Sequence, residues 1–171
     1  NNFTSLSDLC GATGAATVVF TATDACGNTS TTSATFTIYD DVAPTIGTPA
    51  SPQNVQCDGA GNTAALNAWL SSNGGAAATD ACGGVTWSNN FTSLSDLCGA
   101  TGAATVVFKA TDACGNTSTT SATFTIYDDV APTIGTPASP QNVQCDGAGN
   151  TAALNAWLGS NGGAAATDAC G

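Results

Sequence analysis

The 171-residue chain carries twelve Asp, one Lys and no Glu, Arg or His, so its net charge at pH 7 is -11 and only 8% of it is charged. That balance excludes a general phosphate-binding or nucleic-acid surface and suits cations instead. The Ser and Thr hydroxyls lack a base partner and no acid/base pair stands out, so an enzyme is not expected.

The sequence repeats with a period of 88 residues: Asn1 matches Asn89, Cys10 matches Cys98, Trp69 matches Trp157 and Cys82 matches Cys170. Across the overlap only Thr21 against Lys109 and Ser71 against Gly159 differ, the first pair on the outward face of a strand and the second at a helix end. Such near-identity marks tandem copies of one domain-sized unit. We read 1–39 as the C-terminal part of one repeat, 40–127 as a complete repeat and 128–171 as the N-terminal part of the next, a window cut from a longer array. No stretch resembles a signal peptide or a membrane span.

In chain order, the first clear element is a hairpin within Ala16–Asp41, which recurs at Ala104–Asp129. In the second copy Val106, Phe108 and Ala110 alternate with Thr105, Val107 and Lys109, and Ala122, Phe124 and Ile126 alternate with Thr123, Thr125 and Tyr127. A period of two predicts strands with one buried face each. Asp112-Ala113-Cys114-Gly115-Asn116 between them is a turn-forming run.

Asp40 to Ile46 is expected to be a linker and first strand, and Pro49 and Pro52 keep the chain extended up to Val55 and Cys57. Asn62 is placed to cap a short helix whose Ala65, Leu66, Trp69 and Leu70 share one face, and Asn73-Gly74-Gly75 stops it. This helix is expected to cover an open side or end of the sheets, with Trp69 as its apolar anchor. Ala76–Thr79 and Val85–Trp87 are short strands around the turn Asp80-Ala81-Cys82-Gly83-Gly84. Phe91, Leu94 and Leu97 then lead through a loop to Cys98 and the hairpin. Short strands with turn-rich connections predict a mainly β fold: tandem immunoglobulin-like β-sandwich repeats, each with one short helix. Large apolar residues are few, so cross-links matter to such a core.

The phrase T-A-T-D-A-C-G-N, a Thr-rich strand and then D-D-V-A-P-T-I resembles the hyaline-repeat and bacterial immunoglobulin-like modules arrayed in large surface adhesins of Bacteroidetes. The specific part is Ala22–Asn28 with Asp40–Ile46, and again Ala110–Asn116 with Asp128–Ile134. The helix around Trp69 departs from a plain sandwich. The resemblance implies a stalk or fibre of a cell-surface or secreted protein rather than an enzyme.

Eight cysteines, four per repeat, with no CxxC and no His, point to an oxidising compartment and two disulfides per repeat rather than to zinc. In an immunoglobulin-like sandwich Cys82 and Cys114 share one end and Cys57 and Cys98 the other, so the expected pairs are Cys82 with Cys114 and Cys57 with Cys98, each contributing roughly 2–4 kcal/mol. The alternative is local pairing, Cys57 with Cys82 and Cys98 with Cys114. On the first scheme Cys10, Cys26, Cys145 and Cys170 have no partner within the window.

The same placement gathers the aspartates at repeat junctions. Asp8, Asp80 and Asp112 are expected around Asp40 and Asp41, and Asp58, Asp96 and Asp168 around Asp128 and Asp129, with Asp24 and Asp146 at outer junctions. Unit charges 4 Å apart repel by about 4 kcal/mol at an effective dielectric of 20. A divalent cation removes that conflict, and calcium accepts six to eight oxygens flexibly, Asn116 and loop carbonyls included. The spacing is not that of an EF-hand. The alternative is that these aspartates close turns through local hydrogen bonds and lie in a solvated linker.

Two functions follow as expectations. One is a structural repeat of an extracellular fibre or giant adhesin stalk, stiffened by calcium and disulfides, whose partners are neighbouring copies of itself. The other is a ligand- or glycan-binding adhesion module acting by avidity at other cell surfaces. Trp69, Trp87 and Trp157 are more simply core residues than a sugar platform, and the Asn-x-Ser/Thr motifs at Asn2, Asn28, Asn90 and Asn116 are short enough to arise by chance.

Overall fold

A computed structural model describes residues 1–171. The fold is mainly β with several sheets. Its elements are β1 (Gly14–Thr23), β2 (Thr29–Ile38), β3 (Thr45–Thr48), β4 (Gln53–Gln56), α1 (Thr63–Ser71), β5 (Ala77–Thr79), β6 (Thr86–Asn89), β7 (Gly102–Thr111), β8 (Thr117–Tyr127), β9 (Thr133–Thr136), α2 (Thr151–Gly159) and β10 (Ala165–Thr167). The arrangement is consistent with a β-sandwich. No helix is long and apolar enough to cross a membrane.

Strands β4, β8, β7 and β6 pair in that order in one sheet, and β1–β2, β3–β5 and β9–β10 form two-stranded sheets. The expected hairpins are present in both copies. In β7 and β8 the alternation buries Val106, Phe108, Ala110, Ala122, Phe124 and Ile126 on one face. On the other face the Thr105 and Thr123 hydroxyls hydrogen-bond across the strands at 2.9 Å. β6 pairs antiparallel with β7, Trp87 opposite Ala110 and Ser88 opposite Lys109.

Two compact groups of residues make up the chain: 1–53 with 65–93 and 104–124, and 54–64 with 94–103 and 125–171. The core of the first is aromatic. Trp69 of α1 meets Phe108 edge-on at 5.2 Å between ring centroids and Phe124 at 5.5 Å, and its indole N–H donates to the Ser51 carbonyl at 3.0 Å. A ring that buries its apolar body and satisfies its one donor is a stable anchor, and the helix packs as expected. Gly74, with φ of +64°, follows α1; a Cβ there would lie 3.1 Å from both Ala50 Cβ and Phe108 Cε2, so the close approach requires glycine. In the second group Cys57, Cys170, Ile126, Asn62 and Thr101 are buried, as are Gly102 and Gly162.

The expected cap of α1 is different. Asn62 adopts a left-handed conformation, φ +49°, and its side chain turns back toward the preceding loop, accepting from the Asp58 N–H at 3.2 Å and donating to the Gln56 carbonyl at 2.8 Å. It closes the loop before the helix, a role short polar side chains fill in this backbone region.

Candidate functional site: the paired cysteine and aspartate clusters

The disulfides correct the expected pairing. Cys114 bonds Cys10 and Cys57 bonds Cys170, with Cα separations of 5.1 and 6.1 Å, so the expected pairs Cys82 with Cys114 and Cys57 with Cys98 do not form. The local alternatives do not form either. Cys26, Cys82, Cys98 and Cys145 are free thiols. The bonded residues are 104 and 113 positions apart, more than one 88-residue period. Each bridge therefore joins residues of adjacent repeats rather than of one repeat.

Local structure explains the choice. The loop Cys10–Thr13 is closed by the Thr13 hydroxyl, which donates to the Cys10 carbonyl at 2.6 Å, and by the Thr13 N–H donating to the same carbonyl at 3.1 Å. The Ala12 N–H donates to the Cys82 carbonyl at 2.6 Å. Cys10 is thereby delivered to the hairpin tip that carries Cys114, and Cys82 contributes its backbone there, not its sulfur. The same loop at Cys98–Thr101 has the same bonds, and the Ala100 N–H donates to the Cys170 carbonyl at 2.7 Å.

Asp40, Asp80 and Cys82 form one cluster, with donor atoms all within 4.8 Å of one another, and Asp128, Asp168 and Cys170 form its counterpart 88 residues on. In the first, Asp80 accepts from the Cys82 N–H at 2.8 Å and Asp40 Oδ1 accepts from the Val42 N–H at 3.1 Å. The other oxygen, Asp40 Oδ2, is buried and has no hydrogen-bond partner. Asp40 is among the residues lining an open cavity of about 400 Å³, with Val42, Ala43, Thr45, Thr79, Asp80, Ala81 and Cys82. In the second, Asp168 accepts from the Cys170 N–H at 2.7 Å, and Asp128 Oδ1 accepts from the Val130 N–H at 3.0 Å and the Gln56 side chain at 3.0 Å.

The remaining expected ligands lie outside these clusters. Asp8, Asp41, Asp96 and Asp129 are exposed and join neither group. Asp112 is buried, and its carboxylate is occupied by the turn: it accepts from the Cys114 and Asn116 N–H groups, both at 2.8 Å, and from the Asn116 side chain at 2.9 Å. Asp58, exposed, accepts from the Ala60 and Asn62 N–H groups at 2.8 and 3.0 Å. Five carboxylates do not converge at either junction; two do.

A signal for this division is present in the sequence. Asp24, Asp58, Asp112 and Asp146 each precede an Asn by four residues, and in every case the Asn N–H donates back to Asp Oδ1, at 2.8 to 3.0 Å. These are the turn-closing aspartates. Asp40, Asp80 and Asp128 have Pro44, Gly84 and Pro132 at that spacing instead. Burial pushes the Asp112 carboxyl upward, but the hydrogen bonds from Asn116, Cys114 and Gly115 outweigh it and hold the group below the usual carboxylate range. Hydrogen bonds from Asn62 and Ala60 likewise lower Asp58. Asn116 also donates to the Asp40 carbonyl at 3.2 Å, tying the hairpin tip to the linker that carries Asp40.

Burial raises the Cys82 thiol, and the charges of Asp40, Asp80 and Asp112 raise it further, so it stays protonated and is a poor thiolate ligand. Its counterpart Cys170 is already in a disulfide. The donors left in each cluster are therefore its two carboxylates. The two disulfides are compatible with an oxidising, extracellular setting. No protein-family model and no curated protein sequence matches the chain.

Proposed function

We propose that the chain is a structural segment of an extracellular fibre or cell-surface stalk, built from tandem immunoglobulin-like repeats whose junctions are cross-linked by disulfides and stiffened by calcium. The observation that carries this reading is the span of the two bridges, each longer than one repeat. A disulfide inside a repeat stabilises that repeat alone; one across a junction also restricts bending between neighbours. Near-identical copies suit a part whose purpose is length and stiffness. Asp40 with Asp80, and Asp128 with Asp168, would hold calcium through their carboxylates, with the orphaned Asp40 Oδ2 as the oxygen in need of a partner. Trp69, the side chain best shaped for stacking on a sugar, is buried in the core, which weighs against the glycan-binding alternative.

The test is the thermal midpoint and the small-angle scattering of the oxidised chain, with calcium and with excess EDTA, together with metal analysis. A calcium-dependent rise in midpoint and a more extended shape are expected. No change in either would remove calcium from the proposal.

A further inference from the structure

The four Asn-x-Ser/Thr motifs share a pattern but not a structural setting. Asn28 and Asn116 lie at the two hairpin tips, where the side-chain Nδ2 donates to Asp24 and Asp112 at 2.8 and 2.9 Å. Asn116 Nδ2 also donates to the Asp40 carbonyl at 3.2 Å. A carboxamide nitrogen carries two hydrogens, so that of Asn116 is fully engaged.

Asn90 is held differently. It directly follows β6, and its backbone N–H donates to the Val107 carbonyl at 3.3 Å while its side-chain Oδ1 accepts from the Val107 N–H at 2.8 Å. The side-chain carbonyl thus takes the place of a strand carbonyl at the end of the β6–β7 ladder. This bond orients the carboxamide and leaves Nδ2 without a partner in the chain, on an exposed residue. Thr92, which completes the motif, is exposed as well. The equivalent Asn2 repeats the geometry: its Oδ1 accepts from the Val19 N–H at 2.8 Å, and Asn2 and Thr4 are exposed.

We propose that Asn90 is an attachment site for an N-linked glycan and that Asn116 is not, although both carry the motif. The donor is an oligosaccharide carried on a lipid pyrophosphate. Asn90 Nδ2 bonds to the anomeric carbon of the first sugar, the bond from that carbon to the pyrophosphate oxygen breaks, one amide proton is lost and the lipid pyrophosphate leaves. Nδ2 keeps one hydrogen and Oδ1 keeps its bond to Val107, so the ladder survives. At Asn116 the same step would remove one of the two bonds that tie the hairpin tip to Asp112 and to the linker.

The position in the fold gives the sugar a use. In the sheet β4–β8–β7–β6, β6 is an edge strand, and an open edge is a template for pairing with other chains. A hydrated glycan where β6 ends shields that edge from outside the core.

The proposal rests on the extracellular setting of the structural-repeat reading. Its test uses purified oligosaccharyltransferase, a lipid-linked oligosaccharide and the folded, oxidised chain, under conditions in which the enzyme modifies linear peptides spanning 86–94 and 112–120. Glycopeptide mapping should find sugar at Asn90 and none at Asn116, and Thr92→Ala, an exposed change, should abolish modification at Asn90. An unmodified Asn90 in the folded chain, or an Asn116 modified as readily, would overturn the proposal. The same digest reports the bridges: if Cys10–Cys114 and Cys57–Cys170 are present while Asn90 is bare, the glycan proposal falls and the structural-repeat reading stands. If the bridges are missing, it is that reading that falls.

Discussion

Cys114, at the tip of the β7–β8 hairpin, is bonded to Cys10, whose counterpart in the hairpin's own repeat is Cys98. The bridge thus runs between neighbours. It closes a loop with a sequence separation of 104 residues, and long loops lose the most unfolded-state entropy on closure, worth roughly 4–5 kcal/mol near this length. Cys10→Ser and Cys114→Ser should therefore lower stability by similar amounts, and the double variant by little more than either alone. Urea unfolding of the three proteins checks this; additive effects would mean that the two sulfurs act separately.

The two tryptophans at equivalent positions should respond unequally. Trp69→Ala removes a buried ring that touches Phe108 and Phe124, and about 3–5 kcal/mol of stability should go with it. Trp157→Ala, in a half-repeat where no such pair covers the ring, should cost well under half as much in dilute monomer. Chemical denaturation of both variants decides the point, and equal costs would contradict the difference in packing.

Asp112 gives a pH dependence of defined sign. Its carboxyl sits below the ordinary value because the charged form accepts hydrogen bonds from Asn116 and Cys114, against the opposing pull of burial. A lowered folded-state value adds stability above the unfolded carboxylate range, near pH 3.9, and that stability is lost as pH falls through the folded value. Asp24, Asp58 and Asp146 are shifted the same way. The thermal midpoint should be nearly flat from neutrality to about pH 5 and should drop below about pH 4. Asp112→Ala should start lower at neutral pH and fall less steeply.

Calcium dependence should trace to the clustered aspartates and not to the turn aspartates. Asp40→Asn with Asp128→Asn should abolish any stabilisation by calcium, because each change removes a charged oxygen from one cluster. Asp58→Asn should leave calcium titration unchanged, since that carboxylate is engaged by its own loop. Isothermal titration of the variants distinguishes the two groups.

Much of the local structure was legible in the residues. The alternation through Val106, Phe108 and Ala110 announces a strand with one buried face, and the spacing of Leu66 and Trp69 announces an amphipathic helix, because both patterns depend only on backbone periodicity. The proximity of Asp40 and Asp80 was among the expectations. The disulfide partners were not. Cys10 and Cys82 both reach the neighbourhood of Cys114, and the loop bonds around Thr13 decide which sulfur arrives; a pairing across repeats depends on how neighbours dock, which no single repeat encodes. Asp58 and Asp112 left the expected five-carboxylate sets for a different reason: an Asp four residues before an Asn is a turn residue first, and its charge is already satisfied by the backbone.

The central claim, that the bridges join adjacent repeats, is tested most directly by proteolytic mapping of the non-reduced 171-residue chain with mass spectrometry. The account predicts cross-linked peptides containing Cys10 with Cys114 and Cys57 with Cys170. Peptides joining Cys82 with Cys114 and Cys57 with Cys98 would contradict it, since each repeat would then be closed on itself and its junctions held by nothing covalent beyond the chain.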